Sequence, residues 1–458
     1  MNRRALLTGA AAVAFTSLRA LAQPVPIGSP VGSRRLGPGP LSAAVLGPQP
    51  SLDLSFMTPG SLDGRITFVR ASTATYFDAT GTLRTAAINA PRWDYNPVSH
   101  VLNGLLIEEQ RINVLLSSAN LGTASWSLLN TSVVSGVAGA PDGTATVSKL
   151  NELAGTAAHY TRQSVTLAAS TQYTLSLYAK AAEDRYLQVG LDDGGTNGGF
   201  ATFDLQTGVI SGALTALGTG ALGGAVIQAI GNGFYRCSIT TSIGAGTTGR
   251  ALLLLSNVAA PSYAPSYAGI SGNGLLLWGA QLEAGAFPTS YIPTTAASVT
   301  RTADVCSIPT SAWFNAAASS LAVDFMVPNV VQQSRDPCGL TDGTSTNRLA
   351  LRAISGGTGI ATTVTSISSV STISTSLGLF SQNTVAKQAA SWNGTTNLGC
   401  LNAAPVVSTA VGMPSGLNVL CVGNFLPAST INCINGWVRR VRYWPRALSA
   451  TELQQVTT

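Results

Sequence analysis

The chain has 458 residues, which is too long for one hydrophobic core of ordinary size and predicts two or three domains. Charged residues make up only 10% of the chain, while glycine, serine, threonine and alanine are abundant. This composition excludes long charged helices and solvated disorder, and favours extended, turn-rich β structure. The formal charge of +6 falls to +3 without the three arginines of residues 1–22, a balance too small to indicate a nucleic-acid-binding protein.

The N-terminus has the residue order of an export signal. Arg3 and Arg4 precede the mildly apolar stretch 5–15. The tripeptide Ala-Leu-Ala at 20–22, with small residues at its two ends, precedes Gln23. This order predicts that residues 1–22 form an export signal similar to the twin-arginine type, with a disordered tail as the alternative.

Residues 23–50 are rich in proline, glycine, serine and alanine without periodicity, and predict a disordered linker. No later segment holds the roughly 18–20 uninterrupted apolar residues of a membrane span. We therefore expect no span in the mature chain.

Three further segments have β character. Residues 51–116 contain short β-prone pieces and turn signals, and predict a compact, loop-rich β module. Residues 117–300 alternate more cleanly, as in Tyr173 to Lys180, where the residues at odd positions share one face. Six or more such strands with glycine-rich turns predict a sandwich or jelly roll.

Residues 301–458 begin a further β domain. Asn393 and Gly394 lie between two β-prone stretches and predict a tight hairpin turn. The pattern from Ser449 to Glu452 is a capping box and predicts a short terminal helix. Apolar residues recur every third position from Val364 to Ile373, which we interpret as irregular strand and loop because the run is too short for a solenoid.

Cysteine and histidine usage argues against a structural zinc site. Five of the six cysteines lie in the last third, none forms a CxxC pair, and the two histidines, His100 and His159, are far apart. An exported chain can form disulfides, but their connectivity cannot be read from the spacing. We interpret His159 as a strand surface residue.

Residues 68–78 (FVRASTATYFD), 91–95 (PRWDY) and 104–113 (GLLIEEQRIN) occur in an order that resembles the module of phage and prophage tail or head-spike fibre proteins. The resemblance implies a role on a phage fibre, although the export-like start is a departure from it, since virion proteins need no export signal. It leaves open a phage protein, a prophage remnant or a bacterial envelope protein.

Two further resemblances cover the rest of the mature chain. Residues 117–300 resemble a carbohydrate-binding jelly roll, closing on 278–285 (WGAQLEAG) and 291–294 (YIPT). Residues 301–458 are similar to concanavalin A-like, laminin-G-type domains through 392–394 (WNG) and 436–449 (GWVRRVRYWPRALS). Together they imply an all-β protein of tandem antiparallel sandwiches, a jelly roll and a concanavalin A-like sandwich, after a small β module.

Glycan recognition uses aromatic faces that stack on sugar C–H surfaces. The candidates are the aromatic residues whose strand or turn positions could face solvent: Trp126, Tyr178, Tyr186 and Trp392. Core packing is the alternative for each of them.

A calcium site is a second candidate. Asp192, Asp193 and Asn197 supply oxygen ligands in one turn, but the spacing does not match an EF-hand loop and a plain polar turn is the alternative. We expect no required cofactor, with structural Ca²⁺ as the one candidate.

The acids of the last third do not indicate a glycosidase, which needs two carboxyl groups about 5–9.5 Å apart. Glu108 and Glu109 are neighbours whose side chains would point to opposite faces of a strand, and we interpret both as structural. No nucleophile motif accompanies the histidines. The arginines at 439, 440 and 442 either contact an anionic glycan or protect an edge strand.

The sequence therefore predicts a non-catalytic adhesion or receptor-binding protein of phage-fibre type, with glycan or cell-envelope polysaccharide as partner and no nucleic acid. An envelope polysaccharide depolymerase and a purely structural spike or spacer are the alternatives. Homo-oligomerisation stays open, and the expected location is secreted, periplasmic or on the cell surface, or else on a virion.

Overall fold

Antiparallel β-sheets make up almost all of the ordered structure, as the all-β prediction requires. The structure is a computed structural model, and it describes residues 47–330, 334–355, 359–427 and 432–458. The predicted export signal and nearly all of the predicted linker lie outside the described residues. Residues from Gly47 to Thr458 form one compact unit.

The predicted β module contains seven short strands: β1 (Leu52–Ser55), β2 (Thr67–Val69), β3 (Ala74–Phe77), β4 (Leu83–Ala86), β5 (Trp93–Tyr95), β6 (Leu102–Ile107) and β7 (Arg111–Asn113).

The predicted jelly roll contains fourteen: β8 (Ser127–Leu129), β9 (Thr131–Ser135), β10 (Ser148–Glu152), β11 (Gly155–Ala157), β12 (Tyr160–Thr166), β13 (Tyr173–Ala181), β14 (Tyr186–Asp192), β15 (Gly198–Asp204), β16 (Val209–Leu217), β17 (Leu222–Gly231), β18 (Phe234–Thr241), β19 (Thr248–Ser256), β20 (Tyr267–Gly269) and β21 (Gly274–Ala284).

The last segment contains β22 (Val299–Arg301), β23 (Val305–Pro309), β24 (Ser319–Met326), β25 (Arg335–Thr341), β26 (Arg348–Ser355), β27 (Gly359–Ile367), β28 (Ser371–Phe380), β29 (Ala386–Trp392), β30 (Thr396–Leu401), β31 (Val407–Ala410), β32 (Val419–Val422), β33 (Gly436–Trp444) and the helix α1 (Ala450–Val456).

Two six-stranded sheets form the first sandwich. The β13 sheet has the order β17-β18-β13-β21-β10-β9, and the β14 sheet has the order β16-β15-β14-β19-β12-β8. Leucines of both sheets, among them Leu175 and Leu177 of β13 and Leu187 of β14, fill the core between them. The alternation predicted for residues 173–180 is therefore confirmed, because the odd-numbered positions of β13 pack into this core.

An eight-stranded and a seven-stranded sheet form the second sandwich. The first has the order β31-β30-β29-β24-β33-β6-β5 with β1 also on β33, and the second has the order β2-β23-β32-β25-β26-β27-β28. Residues of both, such as Leu105, Val323 and Leu351, share one core. Four strands of the predicted β module thus belong to the second sandwich, and the boundary predicted at residue 116 does not separate a sheet of its own.

Local signals in the last segment are mostly confirmed. Ser449 caps α1 through its side chain, and Glu452 bonds back to the backbone N–H of Ser449, which completes the capping box. The hairpin between β29 and β30 also forms, although of its two predicted turn residues only Gly394 has a positive φ, of 91°. The apolar run near Val364 lies on a regular hairpin, with Val364 and Ile367 on β27, Val370 in the turn and Ile373 on β28.

All six cysteines are free, buried thiols in the structure. Burial raises the pKa of Cys237, and burial with the nearby Asp336 raises the pKa of Cys421 to about 12. Thiols of this kind behave as small apolar core residues, since thiolate formation is suppressed.

A buried ion-pair cluster joins all three predicted segments. Asp304 accepts hydrogen bonds from Arg70 at 3.0 Å and from Arg92 at 2.5 Å. Glu108 accepts from Arg92 at 2.7 Å and lies 2.9 Å from Arg301. Burial alone would raise the pKa of Glu108, but Arg301, Arg92 and hydrogen bonds from Ser290 offset this effect and lower the pKa to about 2. The carboxylate is therefore fully ionised and acts as a structural counter-ion.

The neighbouring Glu109 extends this junction. Its carboxylate lies 2.5 Å from Arg111 and 3.1 Å from Arg335, and Arg111 also approaches Glu283 of β21 at 3.7 Å. The two consecutive glutamates thus bind two different sets of arginines. This agrees with the interpretation that both are structural rather than catalytic.

Asp94 provides a further connection, between β3 and β33, and a pH-dependent one. Its carboxylate accepts from the backbone N–H of Phe77 at 2.7 Å and from the indole N–H of Trp437 at 2.8 Å. Burial raises the pKa of Asp94 from 3.8 to about 6 despite these bonds.

Between about pH 4 and pH 6 the folded protein keeps a proton on Asp94 that the unfolded chain has released. The contribution of Asp94 to the free energy of unfolding should therefore fall by about 2–3 kcal/mol as the pH rises through this window. We expect Asp94→Asn to remove this contribution from the pH dependence and to leave the similar contribution of Asp184, whose pKa burial also raises to about 6. Denaturant unfolding at several pH values would measure the slope. Asp53→Asn, at an exposed site, should keep the wild-type slope, and an unchanged slope in Asp94→Asn would contradict the assignment.

Candidate functional site

Three of the four predicted glycan-stacking aromatics are core residues. Trp392 is 0% exposed in the core of the second sandwich, where its indole N–H donates to the Thr365 hydroxyl at 2.9 Å. Trp126 is 3% exposed in the core of the first sandwich. Neither ring has a face available to a sugar, so these two predictions are corrected to the core-packing alternative.

Tyr178 is buried for a different reason. It points away from the core of the first sandwich, as the strand alternation predicts, but it is only 1% exposed. Leu83 and Phe77 of the β3–β4 hairpin cover it, together with Trp278 and Tyr291 at ring-centroid distances of 5.4 and 6.1 Å. The hairpin therefore covers the outer surface of the β13 sheet around Tyr178, and a stacking role for Tyr178 is also corrected.

The outer surface of the β14 sheet is partly accessible, and we call it the open face. Tyr186 and Gln188 of β14 project from it, because Leu187 and Val189 pack into the core. By the same alternation Tyr160 and Arg162 of β12 project from it too. Tyr186, Tyr160 and Arg162 are each partly exposed. Of the four predicted aromatics, Tyr186 alone keeps an accessible position.

The registers place the residues of the open face relative to one another. Tyr160 is opposite Leu254 of β19, and Tyr186 is opposite Ser256 of the same strand. With strands about 4.8 Å apart and about 3.4 Å per residue, the two tyrosines are roughly 12 Å apart. This span exceeds one pyranose ring and suits an extended oligosaccharide.

The segment 257–266 lies over the middle of the open face. Gln188 holds it, accepting from the backbone N–H of Ala264 at 2.9 Å and donating to the Ser262 carbonyl at 3.1 Å. Tyr263 stacks on Phe200 at a centroid distance of 5.0 Å. Gly190 leaves room for this ring, since a Cβ there would lie 2.9 Å from it. The segment adds a third, partly exposed tyrosine to the surface.

The predicted calcium turn borders the open face. Asp192 is fully buried and accepts from Arg250 at 2.7 and 2.8 Å and from the Tyr263 hydroxyl at 2.5 Å. Burial and the Asp192 charge raise the pKa of Tyr263, so its hydroxyl stays protonated and remains a donor. Asp193 accepts from the side-chain amide of Asn197 at 2.6 Å.

These contacts bear on the calcium prediction. A carboxylate neutralised by a guanidinium is a poor calcium ligand, so Asp192 does not fit this role. In the described part of the chain no three His, Cys, Asp or Glu side chains come together as a metal-binding group. Calcium binding by Asp193 and Asn197 stays a prediction, as does the expectation that no cofactor is required.

The acids of the second sandwich are already engaged. Asp336 pairs with Arg352 at 2.7 Å, and Asp324 pairs with Arg442 at 3.2 Å. Asp342 accepts from its own turn, and Glu452 pairs with Arg446 at 2.6 Å. Asp304 binds Arg70 and Arg92 in the buried ion-pair cluster. Each of the five carboxylates of residues 301–458 therefore has a partner.

Two polar features differ from their predicted roles. His159 is not a surface residue, because it is 1% exposed and its ring nitrogens lie 2.8 and 3.2 Å from backbone carbonyls. The strand that carries Arg439, Arg440 and Arg442 is internal to its sheet, so edge protection does not explain them. Arg440 and Arg442 form ion pairs, and Arg439 donates to the Asn103 carbonyl at 2.8 Å.

Sequence reasoning missed Tyr160, Arg162 and Tyr263. A signal existed for the first two, since residues 160–166 (YTRQSVT) place Tyr160, Arg162 and Ser164 on alternate positions. Tyr263 lies in a loop without periodicity, and only the fold brings it to the sheet. No helix in the described residues is long and apolar enough to cross a membrane.

No protein-family model and no curated protein sequence matches the chain. Among solved structures it is similar to the NanB sialidase of Streptococcus pneumoniae, with 13% identity over 33% of this chain, and it spans 26% of that protein, with a TM-score of 0.28. The Ruminococcus gnavus IT-sialidase CBM40 aligns at 12% identity over 31% of this chain and 84% of that domain, with a TM-score of 0.27.

The mouse laminin α1 LG4-5 domains align at 12% identity over 63% of this chain and 89% of theirs, with a TM-score of 0.21. Identities and TM-scores of this size carry no functional argument. The function proposed below rests on the residues of this chain.

Proposed function

We propose that the protein is a non-catalytic glycan-binding protein whose open face holds an oligosaccharide. The observation that carries the proposal is the pair of partly exposed tyrosines, Tyr160 and Tyr186, projecting from one sheet surface. A third tyrosine, Tyr263, lies on the same surface over β14 and β15. Tyrosine offers a rigid apolar face and a polar tip, which suits a sugar ring that is apolar on its C–H surface and polar at its hydroxyls. On the outer surface of the β13 sheet, by contrast, the β3–β4 hairpin covers the aromatic cluster around Tyr178.

The engagement of the carboxylates supports a binding role over catalysis. A glycosidase needs one carboxyl group to donate a proton and another to remain ionised beside the sugar. Asp192 and Asp204, the acids at the open face, are held by Arg250 and Arg185. We extend the proposal to a cell-envelope polysaccharide as partner, to an adhesion role of phage-fibre type, and to an exported or virion location. Weak single sites would be strengthened by multivalency if copies associate.

The test is an array of envelope polysaccharides probed with the full chain and scored for retained protein and released sugar. Truncating an aromatic anchor typically costs more than about 1–2 kcal/mol, so Tyr160→Ala and Tyr186→Ala should each weaken binding about tenfold. Tyr76→Ala, at a partly exposed site on the β3–β4 hairpin, is the matched control and should bind as wild type.

The other outcomes separate the alternatives. Release of oligosaccharide would contradict a non-catalytic role and favour a depolymerase. Neither retention nor release on any polysaccharide would favour a structural spacer.

A further inference from the structure

Arg162 stands apart from the other cations of the protein. Among the lysines and arginines of the described residues, it is the one whose side chain makes no hydrogen bond, ion pair or ring contact. The other arginines of the open face are neutralised, since Arg250 binds Asp192 through two hydrogen bonds and Arg185 binds Asp204 likewise. The open face therefore carries one uncompensated positive charge, at Arg162.

The surroundings of Arg162 are those of a recognition group rather than of a solvated charge. On neighbouring strands it is flanked by Ser127 of β8 and Leu252 of β19. Tyr160 and Ser164 precede and follow it on the same side of β12, because Thr161 and Gln163 point inward and are buried. Ser127 and Ser164 are exposed. One guanidinium thus lies among an aromatic ring, an aliphatic side chain and two hydroxyl groups.

We infer that the open face is selective for acidic glycans, with Arg162 binding the carboxylate of a sugar such as a hexuronic acid. A guanidinium presents two parallel N–H donors that match the two oxygens of a carboxylate. Tyr160 then contacts the sugar ring, and the serine hydroxyls lie within reach of its hydroxyl groups. This inference rests on the proposed glycan-binding function.

A single cation favours a carboxylated sugar over a polyanion. Binding to a phosphate polymer or to nucleic acid takes several basic residues that neutralise successive charges. The residues beside Arg162 across and along the strands are neutral: Ser127, Leu252, Tyr160 and Ser164. Arg162 supplies one positive charge, so this surface can neutralise one carboxylate per binding site.

The experiment compares the full chain on hexuronic-acid-containing polysaccharides and on the same polysaccharides after chemical reduction of their carboxyl groups to primary alcohols. The two probes differ only in charge. Hydrogen bonds to charged groups are stronger than neutral ones, so the wild type should bind the acidic form about 10–100-fold more tightly. Arg162→Gln should weaken binding of the acidic form about 10–100-fold, so that the acidic and reduced forms bind alike, and Arg162→Lys should restore only part of the preference.

Arg84→Gln, an exposed arginine on β4, is the matched control and should keep the preference. Because Arg162 has no partner in the fold, its variants should unfold at the wild-type midpoint.

Three outcomes would overturn the inference and leave the proposed function standing: equal binding of acidic and reduced forms with loss of both in Tyr160→Ala, a preference unchanged in Arg162→Gln, or an Arg162-dependent preference for a phosphodiester polymer instead. Absence of binding to either form by the wild type, on an array of neutral and acidic polysaccharides, would be a failure of the proposed function itself.

Discussion

Replacing Asp304 by asparagine should lower the free energy of unfolding by about 3–5 kcal/mol, because it leaves buried guanidinium groups without a counter-ion. Asp304 is 0% exposed, and its two oxygens accept from Arg70 and Arg92. Asparagine keeps the shape and one acceptor but removes the negative charge. Arg70 would then lose its carboxylate partner, while Arg92 and the nearby Arg301 would keep Glu108. All three arginines are almost completely inaccessible to water.

Denaturant unfolding of the full chain measures this loss. The matched control is Asp53→Asn, which removes the exposed ion pair with Arg440 and should cost no more than about 1 kcal/mol. The junction cluster contains residues from all three predicted segments, so the loss should appear in the unfolding of both sandwiches. A destabilisation by Asp304→Asn as small as that of Asp53→Asn would contradict a structural role for the cluster.

Trp392→Ala should also destabilise the protein strongly, by about 3–5 kcal/mol, and should leave glycan binding by the folded fraction unchanged. The ring fills part of the core between the two sheets of the second sandwich, opposite Ser319 of β24. Its removal leaves a cavity and also deprives the Thr365 hydroxyl of its donor. The open face belongs to the first sandwich, so the truncation removes no group from it.

Comparison of Tyr186→Ala with Trp392→Ala separates an effect on glycan binding from an effect on stability. Tyr186→Ala should weaken glycan binding with little change in the unfolding midpoint, whereas Trp392→Ala should shift the midpoint with little change in affinity. Trp392→Phe, which leaves a smaller cavity, should lie between wild type and Trp392→Ala in stability. A Trp392→Ala protein of normal stability that had lost binding would instead place the sugar at Trp392.

Local structure followed from local sequence. Alternating apolar residues predicted β13 because one face of that strand had to enter a core, whatever strand lay beside it. The capping box at Ser449 predicted the start of α1, since both of its hydrogen bonds are made within three residues. The all-β fold class followed in the same way from low charge and frequent turn residues.

Long-range pairing was beyond such reasoning. β1 and β6 both pair with β33, which lies more than 300 residues further along the chain, and no local pattern specifies a partner at that distance. The predicted β module therefore looked separate in the sequence, although four of its seven strands complete the second sandwich. The buried cluster around Asp304 was hidden for the same reason, because its arginines are scattered singly along the chain.

The candidate site shows which features the sequence predicts and which depend on tertiary packing. Alternation determines which side of a strand a residue occupies, and it placed Tyr178 correctly outside the core of the first sandwich. Whether an outward side chain reaches solvent depends on what packs over it: the β3–β4 hairpin covers Tyr178, whereas Tyr186 stays partly exposed. The sequence by itself determined the strands and their faces, and tertiary structure alone decided which face stayed open, because the covering elements come from distant parts of the chain.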